Sequence, residues 1–162
     1  MGIPAGEAVF LDTNILLTAT DESRRNHRIA RRLLERGREV GLHGALSGQV
    51  AREYLVVATR PLGANGLGMT PSDALRNVEQ FARRLAFCDE TEAVSVRLRA
   101  LVRVRGLQGK SVHDANVVAT MAGHGIDTLV TENPDDFHAY PEVRLIGLGE
   151  LEATLAEGRR QG

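Results

Sequence analysis

Apolar and polar residues follow one another along the chain in blocks that predict strands separated by helices. Short apolar runs bounded by turn residues predict strands, and apolar residues recurring every three or four positions predict amphipathic helices. Strands are predicted at residues 7–11, 40–43, 86–88, 127–130 and 144–146. Helices are predicted at residues 13–17, 26–36, 47–60, 70–85, 91–105, 111–122 and 150–157. This alternation indicates an α/β fold, with a parallel sheet of four to five strands between two layers of helices.

Several helix boundaries carry local signals. Thr70 followed by Pro71 is typical of a helix start, because threonine caps the first turn and proline suits its first position. Ser47 is expected to cap the helix that ends before Pro61. Asn26 is expected to cap the helix of residues 26–36, and Gly37 to end it. The chain shows no repeats, and we expect residues 1–162 to form one domain.

Composition and charge narrow the class of protein. The 162 residues are 43% hydrophobic and 25% charged, with a net charge of −1, so no strong overall charge indicates a nucleic-acid partner. No apolar run reaches the length of about 20 residues needed to span a bilayer. The first seven residues lack the pattern of a secretory signal, and the one cysteine, Cys88, has no intrachain partner. We therefore expect a cytoplasmic protein without membrane association.

Arginine supplies 19 of the 20 basic residues. Its planar side chain binds phosphate oxygens in pairs, so the arginines of residues 24–38 are compatible with a phosphate-binding face. A solvated helix face and a GC-rich genome also explain this bias. The arginines therefore leave the question of nucleic-acid binding open.

Two acids lie where an acid is unusual or well placed for binding. Asp12 directly follows the first apolar strand, and the carboxyl ends of parallel strands are where open α/β sheets bind ligands. Glu53 lies on the same predicted apolar helix stripe as Leu46, Val50 and Val57. A carboxylate there costs several kcal/mol unless it is paired or binds a cation. An ion pair with a neighbouring arginine remains the alternative for Glu53.

Two later segments add further acids. Asp114 lies in the first turn of its predicted helix, where the backbone N–H groups favour a negative charge, so simple capping is the alternative role. Its neighbour His113 is more simply explained as structural than as a catalytic base. Residues 131–137, Thr-Glu-Asn-Pro-Asp-Asp-Phe, follow another predicted strand and offer a fourth ligand.

Carboxylates gathered from these segments would need a positive counter-charge. Several carboxylates cannot all ionise in one poorly hydrated pocket without one. Oxygen ligands without cysteine or clustered histidine select Mg²⁺ or Mn²⁺ rather than zinc. The usual chemistry of such a site is phosphodiester hydrolysis by a metal-activated water.

Four segments resemble the PIN-domain ribonucleases and, among them, the VapC-type toxins of type II toxin–antitoxin systems. The matching segments are Leu11-Asp12-Thr13-Asn14-Ile15-Leu16-Leu17, Gln49-Val50-Ala51-Arg52-Glu53-Tyr54-Leu55 with Thr59-Arg60-Pro61, Val112-His113-Asp114-Ala115, and Thr131-x-Asn133-x-x-Asp136-Phe137. Their order and spacing match the family over residues 8–137. The resemblance implies a PIN fold, with a catalytic core at about 8–147 and a C-terminal helix at about 149–158.

The resemblance also implies a function and a set of site residues. The function is Mg²⁺- or Mn²⁺-dependent cleavage of RNA by an endonuclease. Asp12, Glu53 and Asp114 would bind the metal and orient the attacking water. Asn133 occupies the family's fourth position, with Asp136 as a substitute, and Thr13, Asn14 and Thr131 would support the acids. The implied partners are RNA, a small VapB-like antitoxin and a second copy of the chain in a homodimer.

Other functions remain open on the sequence. A haloacid-dehalogenase-like phosphatase also begins with a strand ending in Asp, but it needs a second Asp where this chain has Asn14. A PIN-like module that binds without cleaving is the non-enzymatic alternative. A dinucleotide-binding fold is not indicated, because no G-x-G-x-x-G follows a strand.

Overall fold

A five-stranded parallel sheet forms the centre of the structure, a computed structural model that describes residues 6–157. In chain order the strands are β1 (Glu7–Leu11), β2 (Leu42–Ser47), β3 (Ala86–Cys88), β4 (Thr128–Val130) and β5 (Arg144–Ile146). Across the sheet their order is β3-β2-β1-β4-β5, and all four pairings are parallel. The predicted α/β class and strand number are confirmed.

In the described part of the chain, seven α-helices connect and follow the strands. They are α1 (Thr13–Thr20), α2 (His27–Arg36), α3 (Gly48–Thr59), α4 (Pro71–Arg84), α5 (Glu92–Arg105), α6 (Ser111–Gly123) and α7 (Leu148–Glu157). Helix α5 packs against α6, whereas α1 contacts α2 and α3, α3 contacts α4, and α2 contacts α7. Right-handed crossovers put these two groups on opposite faces of the sheet, which gives a three-layer α/β/α architecture.

The central strand β1 is the most deeply buried part of the sheet. Val9, Phe10 and Leu11 are fully buried, because β1 has a strand on each side and a helix layer on each face. Just after the carboxyl end of β1, the backbone N–H of Asp12 donates to the carbonyl of Val130, which is the last residue of β4 at the same edge of the sheet. The chain leaves β1 toward β2 and returns to β4 on the other side. Asp12 therefore lies at the topological switch point, where doubly wound sheets bind ligands.

The second strand differs from the prediction. Residues 40–43 were expected to be extended, but Gly37–Val40 form a 3-10 turn and β2 runs from Leu42 to Ser47. Gly41 ends the turn with φ of 82°, a conformation that glycine adopts readily. Leu46 consequently lies in β2 and not on the helix stripe of Glu53. The prediction placed the strand too early because it did not recognise the turn at Gly41.

Two predicted helix ends form in other ways. Asn26 precedes α2, but its side chain makes no capping hydrogen bond and instead donates to Glu132. Gly37 follows α2 in a right-handed helical conformation, with φ of −52°, so the chain continues into the 3-10 turn. Ser47 and Thr70 cap α3 and α4 through their side chains, as predicted, and Thr91 caps α5 in the same way. The strongest sequence signals thus predicted the caps correctly.

Two predictions concern the ends of the chain and membranes. The predicted C-terminal helix is present as α7 up to Glu157, and its last predicted residue, 158, lies outside the described residues. Within residues 6–157, no helix has both the length and the apolar character that crossing a bilayer requires. That residues 1–162 form one domain stays a prediction.

Candidate active site

Asp12 lies between the end of β1 and the first turn of α1, where three groups hold its carboxylate. Its Oδ1 accepts the backbone N–H of Thr13 at 2.8 Å, and its Oδ2 accepts the Thr131 hydroxyl at 2.8 Å and the Asn14 amide at 3.3 Å. Burial raises the pKa of Asp12, and the charges of Glu53 and Asp136 add to this, whereas the Thr131 and Thr13 donors oppose it. The carboxylate is therefore fixed in direction but crowded by like charge.

Glu53 projects from α3 toward the same region. Its Oε2 accepts the Thr13 hydroxyl and its Oε1 accepts the Gln49 side-chain amide, each at 2.8 Å. Among residues 6–157, no arginine or lysine forms an ion pair with Glu53. The Glu53 carboxylate is therefore hydrogen-bonded by two neutral donors, the Thr13 hydroxyl on α1 and the Gln49 amide one turn earlier on α3.

Asp114 lies in the first turn of α6 and is partly buried. Its pKa is raised to about 6, chiefly by burial and then by the charge of Asp136, with smaller contributions from Asp12 and Glu53. The ammonium group of Lys110 opposes the shift. The charges of Glu53 and Asp136 thus help to raise the pKa values of both Asp12 and Asp114.

Residues 131–137 supply the fourth side of the site. Thr131 is buried, with 1% of its surface exposed, and its hydroxyl accepts the backbone N–H of Asn133 while donating to Asp12. Asp136 lies 3.7 Å from the Lys110 ammonium group. Both Asn133 and Asp136, the two candidates for the fourth position, face the same space as the three other acids.

These side chains surround a single open cleft of about 450 Å³. We call it the acidic cleft, after the four acids that line it: Asp12, Glu53, Asp114 and Asp136. Three basic residues, Arg52, Arg60 and Lys110, also line it, as does His113. Its remaining wall is apolar and includes Leu17, Val56 and Val57. The cleft therefore combines four acids with cations that can bind phosphate oxygens.

The donor set of the acidic cleft suits a hard divalent cation. Within residues 6–157, no three His, Cys, Asp or Glu side chains converge closely enough to enclose a metal ion by themselves. Mg²⁺, however, is commonly held in proteins by one or two carboxylates, with water and substrate phosphate completing the octahedron. Four carboxylates around an open space fit that mode of binding. The pKa values of Asp12 and Asp114 are raised chiefly by burial and further by neighbouring acids, and a bound cation would offset both effects.

Two residues of the site were not identified from the sequence. Gln49 bonds to Glu53, and Glu132 accepts hydrogen bonds from Thr18 at 2.7 Å and Asn26 at 3.1 Å, which ties the 131–137 loop to α1 and α2. A four-residue spacing between Gln49 and Glu53 is a helical-neighbour signal that could have identified the first. No sequence signal marks Glu132, because its partners are 114 and 106 positions away.

Comparison with known families finds one match. The PIN domain family matches residues 9–143, which include all four acids of the cleft. No curated protein is significantly similar to the chain in sequence.

Solved structures with the same fold include toxins and toxin–antitoxin complexes from three bacteria. The Rickettsia felis VapBC2 complex, bound to a DNA fragment from its promoter, is 19% identical, with a TM-score of 0.62 over 86% of this chain and 98% of that one. DNA-bound VapBC from Salmonella typhimurium is 22% identical, with a TM-score of 0.61 over 88% and 98% of the two chains. Mycobacterium tuberculosis VapC20, a toxin that cleaves the sarcin–ricin loop, is 19% identical, with a TM-score of 0.61 over 84% and 98%. At these identities the likeness establishes a shared fold.

Proposed function

This chain belongs to the PIN-domain family, and from that membership we propose that it is a divalent-metal-dependent endoribonuclease, the toxin of a VapBC-type toxin–antitoxin pair. The observation that carries the proposal is the acidic cleft. Asp12, Glu53, Asp114 and Asp136 come from four separate segments and line one space at the switch point of the sheet. Such a gathering of acids destabilises the fold and therefore calls for a function that uses it.

The metal ligands in this proposal are Asp12, Glu53 and Asp114, with Asn133 or Asp136 in the fourth position. Bound Mg²⁺ or Mn²⁺ would supply the positive charge that activates a water molecule and stabilises the phosphate oxygens. Thr13, Asn14 and Thr131 hold the ligands, because each donates to Asp12 or Glu53. The site thereby holds the Asp12 and Glu53 carboxylates in fixed directions before a substrate arrives.

The basic residues of the cleft would bind the phosphate groups of the substrate. Arg52 and Arg60 lie on and just after α3, and Lys110 lies just before α6, so they border the acids on two sides. Their side chains are suited to the phosphates on either side of the bond that is cleaved. An extended single strand, whose backbone can follow an open cleft, is the substrate form that suits this arrangement.

The remaining parts of the proposal follow from the family. An RNA substrate is supported by the shared fold with VapC20, a toxin that cleaves the sarcin–ricin loop. A small VapB-like antitoxin is supported by the shared fold with the toxins of VapBC complexes. A homodimer and a cytoplasmic location complete the proposal. Membership of the PIN-domain family makes a haloacid-dehalogenase-like phosphatase the weaker alternative. The other alternative is a PIN-like module that binds without cleaving, and an activity assay must distinguish it from a nuclease.

The decisive experiment measures cleavage of labelled single-stranded RNA with Mg²⁺, with Mn²⁺ and with EDTA. We expect cleavage with either metal and none with EDTA. Asp12→Asn, Glu53→Gln and Asp114→Asn should each reduce the rate by about 100-fold or more, because each removes a charged ligand. The matched control is Asp89→Asn, an exposed acid outside the cleft. Full activity in the Asp12→Asn variant, or cleavage that persists in EDTA, would refute the proposal.

A further inference from the structure

A buried amide connects the proposed metal ligand Glu53 to the backbone next to a second one, Asp114. Gln49 lies on α3 one turn before Glu53, and only 2% of its surface is exposed. Its Nε2 donates to Oε1 of Glu53 at 2.8 Å and to the backbone carbonyl of His113 at 3.0 Å. His113 directly precedes Asp114, so one NH₂ group bridges α3 and the first turn of α6.

We propose that Gln49 is a positioning residue that sets the separation between the carboxylates of Glu53 and Asp114. This inference rests on the proposed function, because the two carboxylates are the ligands it serves. No other described side chain bonds to both Glu53 and α6. The two acids belong to helices on opposite faces of the sheet, so their spacing needs a direct contact to be kept.

The orientation of the Gln49 amide is fixed by its partners. A carboxylate oxygen and a backbone carbonyl both accept hydrogen bonds, so the NH₂ end must face Glu53 and His113. The opposite end, Oε1, accepts the Asn116 side-chain amide at 2.7 Å. Asn116 also donates to Glu90, which in turn accepts the backbone N–H of Gln49 at 3.1 Å. The hydrogen-bond partners at both ends therefore fix which end of the Gln49 amide faces Glu53.

Because this network is satisfied at both ends, Glu53 has little freedom to rotate. One of its oxygens is bonded to Gln49 and the other to Thr13 of α1. Removing the Gln49 donor leaves Thr13 alone, and the carboxylate can then turn about that single bond. Loss of groups that orient metal ligands typically weakens metal binding by about 10- to 100-fold. We expect loss of the Gln49 amide to have this effect, although Gln49 is not itself a metal ligand.

Two substitutions separate positioning from simple core packing. Gln49→Met preserves length and burial but removes both donors to Glu53 and His113. Gln49→Glu keeps an oxygen for Asn116, but it places a second carboxylate against Glu53. A residue that merely satisfied Asn116 would tolerate Gln49→Glu, whereas a positioning residue would not. The control is Thr120→Val, which removes a fully buried hydroxyl of α6 that donates to the Asn116 carbonyl.

The measurement is Mn²⁺ affinity by calorimetry on the full chain, with melting temperature in EDTA and kcat and KM for RNA cleavage. We expect both Gln49 variants to bind Mn²⁺ about 10-fold or more weakly and to lower kcat while leaving KM for RNA within about twofold. Thr120→Val should lower the melting temperature and leave Mn²⁺ affinity unchanged. This combination separates a change at the ligands from a general loss of stability.

The outcomes distinguish this inference from the proposed function. Unchanged Mn²⁺ affinity in both Gln49 variants would overturn the positioning role, whether or not the wild type cleaves RNA. Mn²⁺ binding that weakens in the variants of a wild type that cleaves no RNA would support the positioning role and refute the nuclease. A wild-type chain that binds no Mn²⁺ would overturn both.

Discussion

The hydroxyl group of Thr131 donates to Oδ2 of Asp12 at 2.8 Å, across 119 positions of sequence. The bond links the carboxyl ends of β4 and β1, which are neighbours in the sheet. Thr131 is almost fully buried, so its hydroxyl has no access to bulk water and depends on this partner. The pair therefore fixes the direction of the Asp12 carboxylate in the acidic cleft.

Replacing Thr131 with valine should reduce RNA cleavage by about 10-fold and destabilise the fold by about 1 kcal/mol. The Thr131 donor lowers the pKa of Asp12, so its loss raises that pKa further. The acid side of the pH–rate profile should then move to higher pH. Thr128→Val is the control, because Thr128 is equally buried on β4 but donates to Glu7. Equal losses of activity in the two variants would contradict the specific role of Thr131.

Asp114→Asn should stabilise the metal-free protein at neutral pH. Asp114 has a native pKa of about 6, above its ordinary value of 3.8, so between these values the folded state binds more protons than the unfolded one. Its contribution to stability is full below pH 3.8 and is lost as the pH rises through 6. The variant should therefore be more stable than the wild type by about 1 kcal/mol at pH 8, after allowing for solvent screening.

This gain should disappear at low pH and in the presence of metal. Urea unfolding in EDTA at pH 4 and pH 8 gives the free energy of unfolding of both proteins and tests the effect of pH. The same experiment with Mn²⁺ tests the effect of metal. Asp89→Asn, an exposed acid, is the control and should change stability little at either pH. A wild type that is more stable than Asp114→Asn at pH 8 in EDTA would contradict the raised pKa of Asp114, on which this prediction rests.

Arg60→Ala should raise KM for RNA about 10-fold and change kcat less. Arg60 lines the acidic cleft just after the end of α3 and is not one of the proposed metal ligands, so we expect it to contribute to binding the substrate backbone. The effect should shrink as the salt concentration rises, because a phosphate contact releases bound ions. The matched control is Arg83→Ala on the exposed surface of α4. A comparable change in both variants would indicate a general charge effect.

Gly66→Ala should destabilise the segment that follows Arg60. A Cβ atom at Gly66 would lie 1.9 Å from the backbone oxygen of Arg60, which cannot move without disturbing the turn. We expect a loss of about 1–3 kcal/mol, as for other overpacked sites, together with weaker RNA binding as Arg60 shifts. Gly63→Ala is the control, because nothing lies within 4 Å of its Cβ position. Melting temperatures of the two variants test the difference.

Predictions of helix caps from the sequence succeeded where a cap depends on neighbouring residues and failed where residues distant in sequence take part. Thr70 with Pro71 predicted the start of α4, because a cap depends only on the next few residues. Asn26 was predicted to cap α2 on the same reasoning, but Glu132 competes for its side chain. The strand near Leu42 was placed too early for a different reason, since the 3-10 turn that ends at Gly41 was not recognised in the sequence.

The sequence by itself determined the order of elements, the α/β class and which residue types follow the apolar strands, because hydrophobic periodicity and helix caps are local properties. Only the tertiary structure decided that Asp12, Glu53, Asp114 and Asp136 line one cleft, since the crossovers of the chain and the strand order bring their segments together. It also decided that Gln49 bridges Glu53 and the turn carrying Asp114, a contact across 64 positions to His113. A hydrogen bond between distant segments depends on packing geometry, which no local pattern encodes.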